Sequence, residues 1–198
     1  MTVAPALPSA QQTTTIVIGS GFSALAVAAE LNRQGIDAIM IDGFGPTQPY
    51  TAPVTGGISL AELSERSQVL RILEHYARRH RLDIRPATRA MELNCGAQKG
   101  APGPRQWQVR TASGTLTARS VVFTRSALAQ LRRLLHTMGI TTATDVRIHM
   151  QALGLYLVGV GEVAIPSTAE ILHQARRASQ SIKSRLALPE GPLAGAFA

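Results

Sequence analysis

The sequence predicts an α/β fold in which a parallel central sheet carries a small antiparallel β-meander. Three observations support it. Short apolar, β-branched runs alternate with helix-period segments from Thr15 to Ile84, the pattern of buried parallel strands joined by helices. From Thr88 to Arg119 the rhythm changes to short strands separated by Gly-bearing turns, which implies antiparallel pairing. Continuous apolar runs then return at Val121–Phe123 and Leu155–Val158.

The first unit, TIVIGSGFSALAVAAELNRQGIDAIMIDG, runs from Thr15 to Gly43. Ile16, Val17 and Ile18 form a strand that stops at Gly19-Ser20-Gly21, where a helical pattern begins at once. Ala24, Leu25, Val27, Ala28 and Leu31 share one helix face, while Glu30, Asn32, Arg33 and Gln34 lie off it. Gly35 supplies the stop. Ile36, Ala38, Ile39, Met40 and Ile41 make a second strand ending in Asp42 and Gly43, with the acid roughly twenty residues past the glycines. Strand, glycine turn, helix, strand and terminal acid is the order a dinucleotide requires. Gly19 permits the sharp turn, Gly21 lets bare backbone approach a pyrophosphate, and Ala24 is small enough for the helix to lie against the strand. The helix start offers N–H groups and a positive dipole end to the phosphates. Asp42 stands where a carboxylate can hold a ribose hydroxyl.

Met1–Thr14 has neither helical nor strand period and reads as a flexible tail, as does Leu188–Ala198; one domain over 15–187 remains. Residues 43–59, GFGPTQPYTAPVTGGIS, read as an irregular loop at the carboxyl edge of the sheet, where open α/β sheets bind ligands. Within it, Thr55-Gly56-Gly57 suits a close approach to a ligand. Ala61–Arg79 fits a long helix through Leu63, Val69, Leu70, Ile72, Leu73, Tyr76 and Ala77, and Leu82-Asp83-Ile84 begins a third strand. Thr88–Asn94, Gln106–Thr111 and Leu116–Arg119 make the meander, with Ser113-Gly114 as its hairpin signal and Trp107 packed on one face. Ala127–Met138 is the next helix. The strand at Leu155–Val158 runs into Gly159-Val160-Gly161-Glu162, and Ser167 with Glu170 forms a capping box that opens the last helix through Ile171, Leu172, Ala175 and Ile182.

The 198 residues carry a net charge of +8. Arg78, Arg79, Arg81, Arg85 and Arg89 fall on and after an amphipathic helix with no interleaved aromatic residues to stack bases, so they read as a solvated face and not a nucleic-acid footprint. No apolar run approaches a bilayer span, and the start of the chain lacks the order of a secretory signal; a cytoplasmic protein without nucleic-acid or membrane partners is expected. A single cysteine, Cys95, excludes an internal disulfide framework and a cysteine-rich metal site, and reads as a loop thiol. His75, His80, His136, His149 and His173 are scattered without metal-ligand spacing, so no metal is expected and no catalytic residue is assigned.

Four segments in order, at 17–42, 70–93, 107–124 and 154–162, carry a likeness beyond the motif. Through them the chain resembles the FAD-binding half of the two-dinucleotide-fold flavoproteins, most closely the flavin-containing and Baeyer–Villiger-type monooxygenases. The resemblance implies a Rossmann-like domain with FAD as cofactor. Gly19, Gly21, Phe22 and Ser23 then approach the pyrophosphate with Ala24 behind them, Asp42 and Gly43 the adenosine ribose, and Ala90 or Met91 the adenine. Thr124 opens Thr124-Arg125-Ser126, where the family reads Ala-Thr-Gly. Gly161 and Glu162 match the Gly-Asp set against the ribityl chain, with Glu162 one methylene longer. The last helix then aims its N-terminus at the flavin ring, stabilising negative charge on a reduced flavin by roughly 0.3 to 2 kcal/mol.

Between Phe123 and Leu155 there is no second glycine fingerprint, hence no NADPH unit of the family's kind. The resemblance therefore implies a compact, monooxygenase-like FAD-dependent oxidoreductase for a small organic molecule. Its electrons come from a separate reductase or partner subunit, from free reduced flavin or from the substrate, and a homo-oligomer is compatible with this. Two alternatives stay open: a flavin-bound but non-redox cyclase or isomerase in small-molecule biosynthesis, and a non-catalytic subunit on a degenerate flavoprotein fold.

Overall fold

The computed structural model describes residues 10–45, 59–96, 106–140, 146–161 and 165–187. The strands are β1 Gln11–Gln12, β2 Thr15–Ile18, β3 Ala38–Phe44, β4 Asp83–Gly96, β5 Gln106–Thr111, β6 Gly114–Ala118, β7 Ser120–Thr124 and β8 Leu155–Val158. The helices are α1 Phe22–Arg33, α2 Leu60–Arg79, α3 Leu128–Thr137, α4 Val146–Leu153 and α5 Thr168–Ala187, and a 3₁₀ turn at Arg125–Ala127 leads into α3. Strands pair in the order β1-β6-β5-β4-β3-β2-β7-β8. The ladder from β4 through β3, β2 and β7 to β8 is parallel, whereas β4-β5 and β5-β6 are antiparallel. The expected fold class is the one observed.

Register explains why the core strands read as unbroken apolar runs. Ile16 pairs with Ile39 and Val121, and Ile18 with Ile41 and Phe123; Val17 pairs with Met40 and Val122. Because side chains alternate across a sheet, these rows face opposite ways. The first two rows join Trp107, Val109, Leu116 and Ala118 of the meander, together with Leu131, Leu135, Met150 and Leu153 of α3 and α4. The Val17 row joins Ala24, Val27, Ala28 and Leu31 of α1 and Ile171, Ala175, Ala178 and Ile182 of α5. Both faces are covered, so neither can be polar.

Local signals set the ends of α1. At its C-terminus Gly35 takes φ 73°, and Ile36 N–H reaches back to Leu31 C=O at 3.0 Å, a Schellman ending that points the chain into β3. The hairpin expected at Ser113-Gly114 joins β5 to β6, with Thr111 paired to Gly114 and the Thr111 hydroxyl donating to Gly114 C=O at 2.8 Å.

Four details differ from the sequence reading. The two short strands expected at Leu82–Ile84 and Thr88–Asn94 are one strand, β4, which pairs with β3 at its start and with β5 at its end, with register shifts near Asp42 and Met91. Cys95 is not a loop residue: it lies in β4 opposite Trp107, exposed. Within the stretch 1–14 expected as a tail, Gln11 and Gln12 form β1 along β6, and Thr13 N–H bonds Thr117 C=O at 2.9 Å. Helix α4 was not anticipated. The tails at 1–9 and 188–198 and the loop at 46–58, including Thr55-Gly56-Gly57, lie outside the described residues.

The meander is pinned to the far side of the core by Trp107, fully buried, whose Nε1–H donates to Leu153 C=O at 2.8 Å. Trp107→Phe keeps most of the packing but orphans a buried carbonyl and should cost about 1–3 kcal/mol. Trp107→Ala should cost about 3–5 kcal/mol. Urea denaturation followed by far-UV circular dichroism measures both, since Trp107 is the chain's sole tryptophan.

Candidate functional site

The parallel strand order reverses between β2 and β7, and in open α/β sheets ligands bind at the carboxyl ends of the strands flanking such a reversal. The glycine turn lies there. Gly19 N–H donates to Ile41 C=O at 2.9 Å, tying the turn to the end of β3 and setting Asp42 beside it. Gly19 has φ 141°, and a Cβ there would run into Thr124, whose own Cβ would lie at 2.9 Å. Its lack of a side chain is therefore required by the fold.

Gly21 is different. Its φ is 77°, it is exposed, and no described atom lies within 4 Å of where its Cβ would be. It is the N-cap of α1, with no side-chain cap and no acidic residue in the first turn. Most helix starts satisfy these amides with a capping oxygen; here no side chain caps them, an arrangement that suits an anion. Ala24, fully buried with Val17 and Val158, brings the helix against the sheet.

The other sequence-predicted residues fall into three groups. Asp42 and Gly43 end the main part of β3, and Asp42 is 28% exposed, with Arg89 Nη2 3.9 Å from its Oδ2. Arg89 also donates to Gly45 C=O at 2.9 Å, so the acid has a neighbouring cation while keeping surface for a hydroxyl. Ala90 is fully buried and its C=O accepts from Gly45 N–H at 3.2 Å, which leaves Met91, at the β4 irregularity and 59% exposed, as the accessible member of that pair. Thr124 is buried behind Gly19, its hydroxyl bonding Ile18 C=O at 3.3 Å and meeting Ser126 Oγ at 3.2 Å. Ser23 packs against Gly159, where a Cβ would strike its side chain. Gly161 ends the described part of the loop after β8, and Glu162 lies outside it. That loop is fastened by Gln174 of α5, which accepts from Gly159 N–H at 2.8 Å and donates to Val160 C=O at 3.1 Å. Thus Gly19, Gly21, Phe22, Ser23, Asp42, Gly43, Thr124 and Gly161 share the carboxyl edge, with Met91 one strand further out.

Sequence reasoning missed Glu62 and Arg66. Ser59-Leu60-Ala61-Glu62 is a capping-box pattern, and Ser59 Oγ does accept from Glu62 N–H at 3.1 Å. The Glu62 carboxylate instead crosses to α5, where Oε1 accepts from Thr168 N–H at 2.5 Å. Arg66 lies 3.5 Å from Glu62, donates to Pro166 C=O at 2.8 Å, and sits 5.7 Å over the Phe22 ring. The α5 end expected to face a flavin therefore already faces a carboxylate.

A cleft of about 760 Å³ lies at the opposite edge. Thr14, Asp37, Leu82 and Arg119 line it, just before β2, β3, β4 and β7. The C-terminal turn of α1 faces it through Asn32, where the helix dipole repels phosphate. Among the described residues no group of His, Cys, Asp or Glu could hold a metal, and no helix is long and apolar enough to cross a membrane.

Two measurements test this geometry. Gly19→Ala should lose about 1–3 kcal/mol of stability through overpacking against Thr124, and adding Thr124→Ala should recover part of it in a denaturation series. The Glu62 carboxyl is held below its ordinary 4.5, first by the Thr168 N–H, then by the Thr168 hydroxyl, with Arg66 adding. A depressed folded pKa contributes stability that is whole above the unfolded value of about 4.3 and is lost as pH falls through the folded value. Wild type should accordingly lose more stability than Glu62→Gln when urea midpoints near neutral pH and at about pH 3 are compared.

No protein-family model and no curated protein matches the sequence. Solved structures do. THI4 of Thermovibrio ammonificans aligns over 88% of this chain and 90% of its own length at 13% identity, with a TM-score of 0.55. A geranylgeranyl bacteriochlorophyll reductase-like protein of Thermoplasma acidophilum aligns over 90% and 79% at 10% identity, with a TM-score of 0.56. Matches to a bacillithiol disulfide reductase of Staphylococcus aureus and to a cyclohexanone monooxygenase cover 58% and 59% of this chain but only 38% and 26% of those proteins, at 17% identity each and TM-scores of 0.38 and 0.39. The identities speak to the fold alone. The chain has the Rossmann-like fold of FAD-binding domains, with a mostly parallel sheet and a β4-β5-β6 meander.

Proposed function

We propose that this chain binds FAD at the Gly19–Gly21 turn and serves as a compact FAD-dependent oxidoreductase acting on a small organic molecule. The observation that carries the reading is the uncapped start of α1, with open space at Gly21 and an acid-free first turn, beside Asp42 at the strand-order reversal. The residues present fit the group. The α1 amides take the pyrophosphate, Asp42 accepts ribose hydroxyls with Arg89 beside it, and Met91 offers an apolar surface to the adenine. Bound FAD supplies the redox chemistry, and the protein supplies position and electrostatics. Because α3 and α4, with no strand among the described residues, occupy the β7–β8 connection, electrons reach the flavin from a separate reductase, a partner subunit, free reduced flavin or the substrate.

The same connection favours a second reading, in which the flavin stays a fixed wall and the chain catalyses a non-redox cyclisation. Turnover without change in the flavin spectrum or in dissolved oxygen separates it from the first.

Purified protein should show flavin absorbance bands or take up added FAD stoichiometrically, with the released cofactor identified by mass. Asp42→Ala should weaken FAD binding about 10- to 100-fold, as loss of hydrogen bonds to a charged group implies. Gly21→Ala should weaken it and also cost about 1–3 kcal/mol of stability, because φ 77° and ψ −159° strain any residue that carries a Cβ. Absence of FAD uptake, or preferential binding of NAD, refutes the reading.

A further inference from the structure

Two helices, α1 after β2 and α5 after β8, begin at the carboxyl edge of the sheet and pack on the same face. Their starts are treated in opposite ways. That of α1 has no cap and no acid. That of α5 is closed: Ser167 Oγ takes the Glu170 amide at 3.1 Å and Glu62 Oε1 takes the Thr168 amide at 2.5 Å. Glu62 comes from α2, far away in the chain, so its carboxylate meets α5 through tertiary packing. Arg66, one turn on, anchors it by donating to Pro166 C=O and to Thr168 Oγ1 at 2.8 and 3.4 Å while lying over Phe22, the first residue of α1. One turn of α2 thus seals one helix start and walls the other.

We propose that Glu62 is a resident anion that closes the start of α5 and so confines a ligand's phosphates to the start of α1. This rests on the dinucleotide reading above and adds its selectivity. A carboxylate and a phosphate oxygen want the same N–H and the same dipole end. A tethered carboxylate competes at a high effective concentration, so a free anion loses at α5 and wins at α1. Of the two helix starts on this face, a ligand with two phosphates then meets one open and one closed, with Asp42 at the end of β3 to take the sugar.

The test is a titration of the full-length chain with inorganic pyrophosphate, followed by amide resonances in wild type, Glu62→Ala and Glu62→Gln; the Gln variant keeps an acceptor for Thr168 N–H and serves where the Ala variant folds poorly. In wild type, Phe22 and Ser23 amides should shift while Thr168 and Ala169 stay still. In the variants Thr168 and Ala169 should respond too, at pyrophosphate concentrations at least about tenfold below any that moves them in wild type. Thr168 responding in wild type alongside Phe22, or staying silent in both variants, overturns the proposal. Silence of Phe22 in all three proteins overturns the dinucleotide reading instead and leaves the Thr168 comparison to decide on Glu62.

Discussion

The contact between β7 and the Gly19 turn is the constraint on which the carboxyl edge depends. Thr124 occupies the space a Cβ on Gly19 would need, and its hydroxyl reaches the last carbonyl of β2. With β2 and β7 held in register to their ends, the backbone after Ile18 has no room to continue straight. It turns, and Gly21 stands exposed at the start of α1. Gly19 is thus needed because no room is left behind it, and Gly21 for its backbone angles, at a position where no described atom crowds it.

Charge follows the same geometry. Each polar group at this edge is held by a residue from another element: Asp42 by Arg89 of β4, the loop after β8 by Gln174 of α5, the start of α5 by Glu62 of α2. Between the two helices on this face, the start of α1 has no side-chain cap while that of α5 has one. In a chain with a net charge of +8, the general field already draws anions toward the surface; the fine placement comes from which helix end is left uncovered. Exposed ion pairs such as Arg110–Glu92 contribute little to that placement or to stability.

Most of the fold was legible because the core strands are buried on both faces. Ile16-Val17-Ile18 and Val121-Val122-Phe123 have no polar alternation to confuse the reading, and α1 shows its apolar stripe and its Gly35 stop in sequence. What was missed has physical causes. Gln11 and Gln12 pair through backbone alone, and their side chains carry no strand signal. Helix α4 has only eight residues between Ile140 and Gly154 that are described, too short for a pattern of Val146, Met150 and Leu153 to stand out. The strand β4 turned out continuous because its irregularities bend it from one partner to the other, a tertiary event. Glu62 was beyond reach for the same reason: the pattern at Ser59 is a correct local signal, and its carboxylate answers to an amide 106 positions away.

The β7–β8 connection bears directly on how such a site is supplied. Leu131 and Leu135 of α3 and Met150 and Leu153 of α4 are buried in the same cluster as Trp107, Ile16 and Phe123, and Leu153 provides the carbonyl that fixes the tryptophan. These helices are therefore committed to covering the meander side of the sheet. Opening them to admit another nucleotide unit would expose side chains worth about 1.5–3 kcal/mol each in burial, several times over, against a total stability of about 5–15 kcal/mol for a typical domain. On the proposed reading, an electron donor for the flavin therefore approaches from the carboxyl edge itself and not through a rearranged β7–β8 segment.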